Sequence, residues 1–69
     1  MTAVELKELR LQLKISLLEV AAHSGLPEGY LAQVEKGAVR PSVSDLDRIE
    51  KTLRFIEMEK LRPDDSGAR

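Results

Sequence analysis

Few side chains in this chain can do chemistry, and their types suit binding. The stretch LPEGYLAQVEKGAVR, residues 26–40, gathers a phenol (Tyr30), an amide (Gln33) and two cations (Lys36 and Arg40). Carboxylates stand near its start (Glu28) and before its last turn (Glu35). An amide donates and accepts hydrogen bonds at once, and a cation holds an anion. Neither breaks a bond unaided, and the usual catalytic helpers are missing. There is no cysteine and a single histidine, His23. Thiol nucleophiles, disulfides and zinc clusters are thereby excluded. No glycine-rich phosphate loop occurs. The acidic residues recur at helical spacing on faces that water covers, where nothing turns a carboxyl into an acid or base. His23 falls near a helix C-terminus and reads as a surface side chain. The expectation is a protein that is not an enzyme and takes no cofactor or metal.

The elements that place these residues must form a small core without staples. At 69 residues the chain holds one domain, which buries roughly 60% of the surface its unfolded form exposes. Leu, Ala, Glu, Lys and Arg dominate and aromatics are scarce, so helices packed on helices are the route to a core. The expected class is all-α. Leu6, Leu9 and Leu13 mark one face of a helix over about 3–13, and Thr2 with Glu5 fits a capping box at its start. LKIS, residues 13–16, breaks that pattern. Ser16 with Glu19 is a second capping box, opening a helix over 17–24 that Gly25 closes. Pro27 suits the first turn of a third helix, Leu31 and Val34 its inner face, and Gly37 its end. Arg40-Pro41 is extended. Ser42 or Ser44 caps a fourth helix, on which Leu46, Ile49, Leu53 and Ile56 recur at spacings of three and four. It runs to about Arg62, either unbroken or kinked near Leu53. The domain is thus 1–62, and the polar tail 63–69 is expected to be disordered.

Two short helices crossing steeply need a small residue at the contact and a permissive one at the turn. Ala21 and Gly25 meet that need, with Val34 packing back. Residues 6–53 as a whole resemble the lambda-repressor/Cro-like helix-turn-helix family. The matching pieces are L-x-x-L-R at 6–10, S-x-x-x-V-A at 16–21, G-L at 25–26, Y-L-x-x-V-E-x-G at 30–37, P-S at 41–42 and L-x-x-I at 46–49. The resemblance implies a compact bundle of four or five helices and a sequence-specific DNA-binding transcription regulator, repressor-like and often dimeric. It places a recognition helix, about 27–36, in the major groove of double-stranded DNA. Glu28 and Gln33 would then touch bases, Gln33 as a bidentate partner of adenine and Glu28 as an acceptor from cytosine. Tyr30, Lys36 and Arg40 would meet the sugar-phosphate backbone. The resemblance also pairs Arg10 with Glu35 in a structural salt bridge.

Charge sets the scale of such binding. The formal net charge is −1, and residues 1–41 hold five basic groups (Lys7, Arg10, Lys14, Lys36, Arg40) against five acidic ones. With Arg10 engaged by Glu35, about three or four phosphate contacts per subunit are expected, so a dimer must supply the rest. A homodimer is expected on other grounds too. Phe55, Ile56, Met58 and Leu61 continue the apolar series beyond Leu53, and a chain this small is not expected to bury all four. Two alternatives stand beside the regulator. Leu17 replaces a phosphate-holding glutamine of many relatives, Pro27 removes a hydroxyl, Ala32 stands where serine is frequent, and Glu28 and Gly29 offer little to a phosphate. These features favour a helix-turn-helix fold that binds a protein partner. An antitoxin-type autoregulator is the other alternative. The charged start MTAVELKELR is not a secretory signal, and no apolar run reaches the roughly 20 residues that span a bilayer. The expected location is the cytoplasm, with no membrane partner.

Overall fold

The computed structural model describes residues 1–61, which form four helices: α1 (Ala3–Gln12), α2 (Leu17–Ser24), α3 (Glu28–Lys36) and α4 (Val43–Leu61). No strand occurs among the described residues. The expected tail 63–69, and Arg62, where the fourth helix was expected to end, lie outside them.

Three of the four starts are set by side chains that satisfy orphan amides. Thr2 Oγ1 accepts from the Glu5 N–H at 3.2 Å, and the Glu5 carboxylate accepts from the Thr2 N–H at 2.9 Å. Ser16 and Glu19 repeat this reciprocal pair at 3.0 and 3.1 Å. Ser42, rather than Ser44, caps α4 by accepting from the Asp45 N–H at 3.0 Å. Helix α3 differs: Pro27 is its N-cap residue, at φ −63° and ψ 140°, and no side chain bonds to its first amides. The helix thus begins one residue later than a proline inside the first turn would place it.

The ends are set by left-handed residues. Gly25 at φ 81° closes α2 and Gly37 at φ 79° closes α3, a conformation in which glycine escapes the Cβ penalty. Helix α1 closes in the same way without a glycine. Lys14 adopts φ 59°, and its N–H reaches the Leu11 carbonyl at 3.1 Å while the Ile15 N–H reaches that of Arg10 at 3.1 Å. This double closure is a Schellman-type cap. It throws Ile15 into the core, where it is 2% exposed. The LKIS segment that interrupts the helical pattern therefore supplies a core residue.

Leu6, Ile15, Val20, Leu31, Ile49, Leu53 and Ile56 form one buried cluster. Leu9, Leu13, Leu17, Ala21, Leu26 and Leu46 pack partly buried against it, and Val34 is buried as well. Ile56 is a correction to the expected dimer surface. It is 3% exposed and lies inside its own bundle. The reason is register: α4 is unbroken, and Ile49, Leu53 and Ile56 recur at four and three, so Ile56 stays on the strip facing α1 and α2. Phe55, Met58 and Leu61 lie off that strip and are 51%, 68% and 73% exposed.

One side chain joins the short helices. The Arg10 guanidinium donates through Nε to Glu35 Oε2 at 2.7 Å and through Nη2 to Glu35 Oε1 at 2.9 Å. Its Nη1 donates to the Ile15 carbonyl at 2.7 Å. All of these groups are half-buried or better. Replacing Arg10→Met strands a carboxylate and a carbonyl, and is expected to lower stability by about 2–3 kcal/mol in urea unfolding. Adding Glu35→Leu to that variant should recover part of the loss, because the stranded charge is then gone. Conversely, Lys14→Gly relieves the left-handed backbone and should raise stability by about 0.5–1 kcal/mol after the greater freedom of the unfolded glycine is set against it.

Candidate nucleic-acid interface

The exposed side of α3 is built by subtraction. Leu31 and Val34 turn inward and are buried, so the residues between them turn out. Gly29, Gln33 and Lys36 follow at spacings of four and three and share one face. All three are exposed, as is Glu28 beside them. Ala32 lies at the margin, half-buried. Gly29 needs no special backbone here, and a Cβ added to it would meet nothing within 4 Å. The face is therefore low at its N-terminal end and rises through Gln33 to Lys36. Arg40 is exposed on the connection to α4. Neither Lys36 nor Arg40 forms an ion pair among the described residues, whereas Arg10 is committed to Glu35. These two cations thus sit at the C-terminal end of α3 and just beyond it, without an ion pair among the described residues. At the other end the uncapped amides carry the positive end of the helix dipole, with Glu28 in the first turn to offset it.

Tyr30 departs from this face. It is half-buried, and its hydroxyl donates to Asp45 Oδ2 across to the first turn of α4 at 2.6 Å. The phosphate contact expected of Tyr30 would require that bond to break, beside a carboxylate that repels phosphate. The hydroxyl ties α3 to α4 instead. Asp45 is the residue that the sequence reading passed over. The available signal was local only: Asp45 stands three residues after the capping Ser42, in the first turn of α4.

Behind the exposed face, α2 and α1 hold α3 in place. Leu17, where a polar phosphate contact is frequent in the resembled family, is half-buried and packs against the core. Its neighbour Leu18 is 64% exposed. His23 Nδ1 lies 2.9 Å from the Glu19 carbonyl in its own helix; since a carbonyl only accepts, Nδ1 is the protonated nitrogen in this arrangement. No group of three potential metal ligands gathers among the described residues. No helix among them is long and apolar enough to cross a membrane.

A short helix, a left-handed glycine turn and a second helix with its polar side outward constitute a helix-turn-helix. The family model described as helix-turn-helix matches residues 6–61. The chain belongs to this family, the lambda-repressor/Cro-like group of DNA-binding transcription regulators. Comparison with curated proteins and with solved structures gave no match.

The Tyr30–Asp45 bond has a consequence at high pH. The hydrogen bond to Asp45 raises the Tyr30 pKa above its ordinary value of 10.0, and burial and the Asp45 charge act in the same direction. The folded chain then holds this proton at a pH where the unfolded chain has released it. Its stabilising effect is complete below about pH 10 and is lost as pH rises through the higher folded value. Urea midpoints measured at pH 8 and pH 11 should fall less between the two for Tyr30→Phe than for the unmodified chain.

Proposed function

We propose that the chain is a sequence-specific DNA-binding transcription regulator that acts as a homodimer, with α3 lying in the major groove. One observation carries the reading: Gln33 and Lys36 share the exposed face of α3, with Arg40 free on the adjoining loop. In this arrangement Gln33 contacts adenine through N6 and N7, and Glu28 accepts from a cytosine amino group. Lys36 and Arg40 neutralise phosphates on either side. Tyr30 serves by its ring against the sugar or by fixing α3 through Asp45. Two subunits double a small number of phosphate contacts and read two half-sites.

A second reading has its own support. Leu18 is exposed at the start of α2, next to Leu17, and apolar surface there suits a protein partner better than a phosphate. Selection from a random duplex library separates the two. Enrichment of one site supports the regulator; absence of both an enriched site and any salt-dependent duplex binding supports the interaction module. On the enriched site, Lys36→Ala should weaken binding to all sequences alike and flatten the slope of log K against log salt by about one. Gln33→Ala should instead remove roughly 1–3 kcal/mol of discrimination at one base pair.

A further inference from the structure

Among the described residues, the polar side chains buried in this fold are Ser24 and Thr52, at 8% and 7% exposed. Both wall one open cleft of about 530 Å³ between the end of α2 and the outer side of α4. That volume lies in the range of small-molecule sites. A buried hydroxyl ordinarily finds a partner. Ser24 Oγ accepts from the Leu26 N–H at 3.1 Å, which leaves its own O–H to donate. The Thr52 hydroxyl has no hydrogen bond among the described residues. No fully buried side-chain oxygen lacks a partner there, so the Thr52 hydroxyl keeps an opening, and the cleft it lines provides it.

The charge of the wall says what could enter. Lys51 is held by Asp47 at 3.1 Å, and the two cancel. Arg48 remains as the net cation of the wall: it forms no ion pair among the described residues, and its Nη1 makes only a long bond, 3.4 Å, to the Ser24 carbonyl. That carbonyl belongs to the negative end of α2, which disfavours a second negative charge on a ligand. At one end of the cleft stands the Phe55 ring, 51% exposed, 5.7 Å from the His23 ring and tilted 46° to it. We infer that the cleft binds a small monocarboxylate with a flat aromatic body. The carboxylate takes the planar fork of Arg48 and the proton of the Thr52 hydroxyl, and the ring lies against Phe55. No residue of α3 lines the cleft, so this site goes beyond the DNA reading and stands without it. Met58 and Leu61 do not line it either, and the exposed apolar edge of α4 meets the cleft only at Phe55.

Amide NMR spectra of the whole chain test the site with four probes: 2-naphthoate, its uncharged analogue 2-naphthamide, acetate and inorganic phosphate. Naphthoate should shift the amides of Ser24, Arg48, Thr52 and Phe55 to saturation. Naphthamide, which lacks the charge, and acetate and phosphate, which lack the ring, should each bind at least about tenfold more weakly, the loss expected when a hydrogen bond to a charged group or a stacked ring is removed. Arg48→Gln and Thr52→Val should weaken naphthoate by a similar factor, and the same spectra show that each variant is folded. Arg48 is exposed and its replacement leaves the core intact, while valine keeps the shape of Thr52 without its hydroxyl. Four outcomes overturn the inference. They are no saturable shift at these amides, naphthamide matching naphthoate, phosphate matching naphthoate (which would make the cleft a simple phosphate contact), and undiminished naphthoate binding in either variant.

Discussion

The Arg10 guanidinium is the point on which the small helices depend. Helices of eight to ten residues, such as α1, α2 and α3, are marginal alone in water, because a nucleus costs more than a few turns return. Apolar packing gathers them, but it is not directional. Arg10 adds direction: a planar fork that grips both oxygens of Glu35 at the end of α3 and the Ile15 carbonyl in the α1–α2 turn. A lysine could not do this, since its single charged nitrogen lacks the fork. The net stabilisation of such a pair is modest once desolvation is set against it. Its larger effect is to fix where the C-terminal end of α3 lies relative to α1, and so where Lys36 points.

At the opposite end α3 is held by Tyr30 and Asp45. The two anchors, Arg10–Glu35 and Tyr30–Asp45, leave the helix between them with only small or polar residues outward. That combination suits an element that must present a fixed face and then accept contacts from outside. It also explains why Tyr30, the single aromatic of the segment, is a clamp with its hydroxyl turned away from the exposed face. The uncapped start of α3 fits the same pattern. A side chain bonded to its first amides would occupy the place where the helix dipole is strongest.

What the sequence disclosed followed the range of each interaction. Both capping boxes were legible because donor and acceptor lie three residues apart, and Gly25 and Gly37 were legible because glycine advertises the left-handed turn. Lys14 adopts the same turn with no signature, so the end of α1 and the burial of Ile15 stayed hidden. The Tyr30–Asp45 bond spans fifteen residues and depends on where the first turn of α4 lies relative to α3, which no local pattern encodes. The Arg10–Glu35 pairing spans twenty-five and was accessible through the family resemblance, not through spacing. The candidate interface was legible at Gln33, Lys36 and Arg40, where exposure follows from helical period. It was not at Tyr30, whose period places it between faces.

Ile56 shows why apolar periodicity fixes a helix before it fixes a partner. Phe55 and Ile56 are neighbours in sequence, both large and apolar, and about 100° apart around α4. From the sequence they form one continuing apolar series beyond Leu53. In the fold they belong to different edges, because α1 and α2 wrap one side of α4 and not the other. The inner edge takes Ile56 and completes the core. The outer edge keeps Phe55 and Met58, with Leu61 beyond them. That division matters for the proposed dimer. A surface made of Ile56 would have required opening the bundle to pair it, coupling folding to association. With Ile56 inside, the subunit is complete by itself, and association needs only the outer edge. In the proposed dimer, pairing would respond to concentration and to DNA without unfolding either subunit.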